Sequence, residues 1–174
     1  GRVSQHAYPG EFRKSQNWVG GSSISNATFI PPPVAEMNQS LHNLEKFIYN
    51  KSPLPILIKT GIIHSQFETI HPFLDGNGRI GRLLITFYLC HKGILKKPML
   101  YLSEYFKKNR QSYYERLNDV REKDDIEGWL RFFLEGVRVT SDNAVDTVRR
   151  INEMRNSDLE KVIKKGVSKE KSII

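Results

Sequence analysis

His71-Pro72-Phe73-Leu74-Asp75-Gly76-Asn77-Gly78-Arg79-Ile80-Gly81-Arg82 holds the densest chemistry in the chain and divides it into what comes before and after. Gly76, Asn77 and Gly78 precede a predicted helix start, where unpaired backbone N–H groups and the helix dipole favour an anion. The glycines let the backbone approach a ligand closely. Arg79 and Arg82 stand three residues apart on one side of the first turn, placed to grip phosphate oxygens with bidentate guanidinium groups. Asp75 would repel a bare phosphate, so its place beside the nest makes sense with Mg²⁺, which takes a carboxylate together with phosphate oxygens. His71 can act as general base near neutral pH, because an unperturbed imidazole with a pKa of about 6.5 is largely neutral there.

Outward from this stretch the pattern is helical. Ile56, Ile62, Ile63, Phe67 and Ile70 lead into it, and Pro72 disfavours helical geometry at the residue before it, so this helix is expected to finish at His71. The helix that follows is expected over about Arg79 to Lys92, with Ile80, Leu83, Leu84 and Phe87 on its apolar side and Gly93 as its stop. Upstream, Val34, Met37, Leu41, Leu44 and Ile48 mark another helix, closed by Ser52-Pro53-Leu54-Pro55. Before it, Asn17-Trp18-Val19-Gly20-Gly21 and Ala27-Thr28-Phe29-Ile30 read as a β-hairpin ended by Pro31-Pro32-Pro33, and Pro9-Gly10 as a turn. Downstream, Tyr101 to Tyr105 opens a segment, and Tyr113, Leu117 and Val120 form a helical stripe. Ile126, Trp129, Leu130, Phe133 and Val137 form a strongly apolar helix face. The pattern runs on through Val145, Val148, Ile151 and Met154 with rising charge, and the last residues are expected to fray. The fold class is mainly α: a helical bundle with one hairpin attached.

With 174 residues, 39% of them hydrophobic and 26% charged, the chain has the composition of one globular domain. Its longest apolar run, Leu83 to Cys90, is far short of the roughly 20 residues that span a bilayer. No signal-peptide pattern opens the chain, which begins at Gly1 rather than Met and leaves room for sequence upstream. Cys90 is the sole cysteine, which excludes an internal disulfide and fits a reducing cytoplasm; its apolar surroundings suggest a small buried residue. The net charge of +8 raises the question of nucleic acid, but eight Lys/Arg against four Asp/Glu fall between Arg149 and Ile174, the composition of a solvated helix or linker. The working division is therefore 1–150 as the domain and 151–174 as a basic helix or linker. Two other readings compete with the phosphate site. His64, Glu68 and His71 share a helix face at i, i+4 and i+7 and would form a zinc site if the helix continued through Pro72. A basic nucleic-acid-binding protein would rest on the tail, and on a C-terminal domain absent from this sequence.

The central stretch matches every defined position of His-x-Phe-x-(Asp/Glu)-Gly-Asn-Gly-Arg-x-x-Arg and so resembles the Fic (filamentation induced by cAMP) family. Gly10-Glu11-Phe12-Arg13, Trp18-Val19-Gly20-Gly21 and Phe29-Ile30-Pro31-Pro32-Pro33 are similar to the region carrying that family's flap. Ile63 to Ile70, Tyr113-Tyr114 and Trp129 to Leu134 are similar to its helices. The resemblance covers roughly residues 8 to 150 and implies transfer of AMP from ATP to a Ser, Thr or Tyr hydroxyl of a target protein, in the presence of Mg²⁺. It implies that His71 deprotonates the hydroxyl and that Asp75 ligates Mg²⁺. Asn77 with the Gly76 and Gly78 backbone would stabilise the α-phosphate, and Arg79 and Arg82 would hold the β- and γ-phosphates. Tyr113 and Tyr114 would contact the adenosine. Val19, Gly20 and Gly21, in a flap over about 17–31, would pair with the target by main chain. Gly78 favours nucleotidyl transfer, because relatives that phosphorylate their targets carry Lys there. The family also implies a homodimer and an inhibitory helix with a Ser/Thr-x-x-x-Glu-Gly/Asn motif, which this sequence lacks: at Glu127-Gly128, Lys123 stands where Ser or Thr is needed. Such a helix is expected from upstream sequence or a separate partner, unless this control is lacking. Within the family, another nucleotide donor or removal of AMP are the alternative chemistries.

Overall fold

The computed structural model describes residues 10–164, which hold six α-helices: α1 (Val34–Tyr49), α2 (Ile56–Ile70), α3 (Asn77–His91), α4 (Leu102–Lys108), α5 (Arg110–Lys123) and α6 (Ile126–Lys164). Pro9 and the terminal residues expected to fray lie outside them. The prolines fall where the sequence reading puts them, with Pro33 and Pro55 immediately before α1 and α2.

α2 is the central helix and packs against α1, α3, α5 and α6. Buried residues lie all round it, including Lys59, Thr60, His64, Ser65 and Glu68, so its polar side chains need partners inside the protein. Lys59 finds them at the end of α1, donating to the carbonyls of Ile48 (3.2 Å) and Asn50 (2.8 Å). On one side of α2, Met37, Leu44, Ile63, Phe67, Ile70 and Tyr88 form one core cluster. On the other, Ile85, Leu89, Leu102, Phe106, Tyr113, Leu117, Trp129 and Phe133 form a second.

The apolar side of α3 is the expected one only at Leu84, which packs against the core, while Ile80, Leu83 and Phe87 are exposed. Leu83 is 52% and Phe87 59% exposed, whereas Gly81, Ile85, Tyr88 and Leu89 are buried. Gly81 decides this. A Cβ there would sit 2.3 Å from Glu68 Oε1 and 3.1 Å from the Phe67 ring, so its missing side chain lets α3 lie directly on α2. That contact turns the Gly81–Ile85–Tyr88–Leu89 face inward and leaves Leu83 and Phe87 outside. Cys90 is half-buried rather than buried.

The expected hairpin is reduced to one antiparallel bridge, Val19 with Phe29, and there is no strand among the described residues. Val19 N–H donates to Phe29 O (2.9 Å), and Phe29 N–H and Thr28 N–H donate to Val19 O (3.1 and 2.9 Å). Directly after Val19, Gly20 and Gly21 take φ of +71° and +68° and turn the chain away from a ladder. At Gly20 a Cβ would meet Thr28 Oγ1 at 2.3 Å. The segment between is a 3₁₀ turn, Ile24–Asn26, closed by Asn26 Oδ1 accepting from the N–H groups of Ser22 (3.0 Å) and Ser23 (2.8 Å). Local side-chain bonds thus take the place of the ladder.

α6 passes residue 150 without a break, so the expected domain and basic helix share one continuous element. Beyond the bundle its charges pair along the helix, as in Arg149–Asp146 (3.3 Å) and Lys161–Asp158 (3.1 Å), the arrangement of a solvated helix face. Among the described residues no helix is long and apolar enough to cross a membrane.

Candidate active site

α2 ends as its sequence demands. Pro72 follows His71, and His71 takes the left-handed conformation (φ 48°, ψ 60°), its N–H still bonded to Phe67 O at 3.0 Å. A non-glycine residue in that region carries strain that surrounding contacts must over-determine. Here two residues hold its carbonyl and those of the next two residues. Arg13, itself buried, donates from Nε to His71 O (3.1 Å) and from its main chain to Pro72 O (2.8 Å). Asn17 donates from Nδ2 to His71 O (3.3 Å) and Phe73 O (2.9 Å).

The His71 ring is set as well. Nδ1 lies 3.3 Å from Glu68 O, a carbonyl that only accepts, so Nδ1 carries the proton and Nε2 is left with its lone pair. Burial pushes the His71 pKa down to about 4, opposed by the Glu68 hydrogen bond and assisted by the charges of Arg121 and Arg13. Nε2 is therefore unprotonated throughout the neutral range. An NMR titration of the nucleotide-free chain should find His71 titrating near 4 rather than near 6.5, and rising when a polyphosphate binds, because a nearby anion favours the charged imidazole. A midpoint at the ordinary histidine value would contradict the buried ring. The sign for stability follows. Unfolded histidine takes up its proton near 6.5 and folded His71 only near 4, so its contribution is lost as pH falls through that window.

The loop after His71 is closed on itself. Asn77 Oδ1 accepts from Phe73 N–H (2.9 Å) and Asn77 Nδ2 donates to Phe73 O (2.7 Å), so both ends of a buried side chain are spent on the loop. Gly76, at φ +89°, then caps α3, and its carbonyl accepts from the N–H groups of Arg79 and Ile80, both at 3.0 Å. The helix starts at Asn77, two residues earlier than the periodicity suggests, so the N–H groups of Asn77 and Gly78 belong to its first turn. The Arg79 guanidinium lies over Gly76 and 3.7 Å from Asp75, and that of Arg82 lies 3.1 Å from where a Gly78 Cβ would be.

These groups share one cleft of about 400 Å³. His71, Asp75, Gly76, Asn77, Gly78, Arg79 and Arg82 form its base, Trp18, Val19 and Gly20 one wall, and Tyr113, Tyr114, Leu117, Glu68 and Arg121 the far side. Gly21 does not reach the lining. Tyr113 is a core residue only 4% exposed, whose hydroxyl faces His64 Nε2 at 2.9 Å, while Tyr114 is 44% exposed. His64 Nδ1 lies 3.0 Å from Gly81 O, so this ring donates to the carbonyl and accepts from Tyr113. With both nitrogens engaged and the ring wholly buried, His64 is a packing residue. The zinc reading fails on this geometry, and no cluster of three metal-binding side chains occurs among the described residues.

Arg121 enters the cleft with no sequence signal of its own, while Glu68 reads from the sequence only as a zinc ligand, and Arg13 and Asn17 only as part of the flap region. Glu68 is 5% exposed, its Oε1 has no hydrogen-bond partner, and burial raises its pKa to about 7 against the charges of Arg82 and Arg121.

Residues 1–89, just over half of the chain, match the family described as Fic/DOC, and the chain belongs to that family. A probable protein adenylyltransferase of Aquifex aeolicus is 32% identical over 114 residues, which cover 66% of this chain and 32% of that protein. The protein adenylyltransferase Fic of Aedes aegypti is 31% identical over 147 residues, covering 81% of this chain and 26% of that protein. The chain thus spans a third or less of the curated relatives' lengths. The crystal structure of a Fic family protein from Desulfovibrio desulfuricans G20 superposes with a TM-score of 0.69 at 27% identity, over 79% of this chain and 41% of that one.

Proposed function

We propose that this chain transfers AMP from ATP to a hydroxyl of a protein substrate. The observation that carries the reading is the placement of the unprotonated Nε2 of His71 in one cleft with the α3 N-terminus and the Arg79–Arg82 pair. His71 Nε2 takes the hydroxyl proton as the oxygen bonds to the α-phosphorus. The bond from that phosphorus to the bridging oxygen breaks, and pyrophosphate leaves. The N–H groups at the start of α3 face the charge that develops on the α-phosphate. Asn77 contributes through its main chain, since its side chain holds Phe73. Arg79 and Arg82 bind the β- and γ-phosphates after swinging off Gly76 and Gly78. Tyr114, the more open of the two tyrosines, packs against the nucleoside.

A divalent cation fits here. Asp75 is a partly exposed carboxylate at the cleft, and Mg²⁺ commonly uses one or two carboxylates with phosphate oxygens. Asp75 would hold it, and the ion would neutralise phosphate charge. The target lies along the Val19 wall. Both hydrogen-bonding groups of Val19 point to Phe29, so the neighbouring main chain of Trp18 and Gly20 is left to pair with an extended target segment.

Incubation of the chain with target-bearing lysate or alone, with Mg²⁺ and each of ATP, GTP, CTP and UTP, should give a mass gain of one AMP with ATP. Intact-mass spectrometry reads it. No gain with any donor, or a gain with another nucleotide alone, would overturn the adenylyl reading.

A further inference from the structure

We propose that Arg121 is a positioning residue that ties the Val19–Phe29 wall to the end of α2, so that the wall and His71 are held as one unit. Arg121 sits in the last turn of α5 and joins its own helix to the end of α2 and to Phe29. Its Nη2 donates to Glu68 O (3.1 Å), its Nε to Thr69 Oγ1 (3.2 Å) and its Nη1 to Asn118 Oδ1 (3.0 Å). Its guanidinium carbon stands 3.8 Å from the centroid of the Phe29 ring. Glu68 O is the same carbonyl that receives Nδ1–H of His71. Phe29 is the residue whose main chain pairs with Val19 at the cleft. One planar group therefore joins the side chain behind the wall to the carbonyl that orients the base.

The chemistry of the contact argues for arginine and for this role. All three acceptors are neutral or main-chain groups, so the cation is held without a direct carboxylate bond, an expensive arrangement for stability alone. A guanidinium donates in its plane and stacks through its face at the same time, whereas an ammonium cannot do both. The wall itself has a single bridge, too little pairing to stay in place unaided. Arg13 braces its far end by donating from its side chain to Pro32 O and His71 O, which leaves the Phe29 ring untouched by those bonds. Arg121 is set against the Phe29 side chain itself.

The anchoring is tested by amide hydrogen exchange on the nucleotide-free chain, which does not depend on any activity. Arg121→Gln and Arg121→Lys should each speed exchange at Val19, Thr28 and Phe29 about tenfold, the order expected for loss of a partly desolvated cation–π contact. Amides around Trp129 should not change. Phe29→Leu should give the same acceleration, and the double variant Arg121→Gln/Phe29→Leu no more than either alone. Because the role in catalysis rests on the adenylyl-transfer reading, the second arm measures transfer to a protein acceptor. There kcat should fall about tenfold with the dissociation constant for ATP unchanged. Unaltered wall exchange in the Arg121 variants, or additive effects in the double variant, would overturn the proposal. Weakened ATP binding with an unaltered wall would make Arg121 a ligand contact and overturn it too. Faster wall exchange in a chain that transfers no nucleotide would uphold the anchoring and reject the adenylyl reading alone.

Discussion

His71→Asn should lower the rate of AMP transfer by about 10²- to 10⁴-fold, the usual contribution of a positioned general base. Asparagine is the informative substitution because residue 71 sits at φ 48° and asparagine tolerates that region better than alanine. Its amide cannot take the hydroxyl proton. The urea midpoint should therefore stay near that of the parent while transfer collapses, and donor binding should be little changed, since Arg79, Arg82 and the α3 N-terminus are untouched. Titration calorimetry with ATP separates binding from chemistry. A variant that retained more than a tenth of the parental rate would remove His71 from its assigned role.

Trp129→Ala should be the most destabilising single change in the bundle. The indole is fully buried, its Nε1–H donates to Gly61 O at 2.9 Å, and its ring lies 5.7 Å from His64 and 5.9 Å from Phe133. Truncating a buried tryptophan costs about 3–5 kcal/mol through lost burial and the cavity left behind. Against a total of about 5–15 kcal/mol, that loss brings the chain close to its unfolding threshold. Equilibrium urea denaturation is the measurement, and a change below about 1.5 kcal/mol, the scale of a volume-conserving swap, would contradict this packing. Activity should fall with it, because the indole backs the Tyr113–His64–Gly81 contacts that hold α3 against α2.

How much of this was legible in the chain depends on how far each feature reaches. The helices from Val34 and from Ile56 follow from local periodicity and the prolines before them, and they end where the sequence breaks. The stop of α2 at His71 was readable from Pro72 alone. The hairpin was not. Its β-prone runs are real, yet Gly20, Gly21 and the Asn26 hydrogen bonds take the chain out of a ladder after one pair. The inward face of α3 was misjudged because periodicity counts apolar residues, and here a glycine set the contact.

Legible from the chain alone was the set of groups at the start of α3: a histidine, a carboxylate, a glycine nest and two arginines are local in sequence, and their spacing persists however the domain packs. Tertiary structure decided what each of them is free to do. Asn77 is turned back onto Phe73, Tyr113 is drawn into the core by His64, and Glu68 and Arg121 enter the cleft from α2 and α5. The physical reason is range. Arg13 and His71 lie 58 residues apart, and Arg121 and Glu68 lie 53 apart. A hydrogen bond over such a distance leaves no period to read. It exists only once α2 has been buried on all sides and its carbonyls need donors.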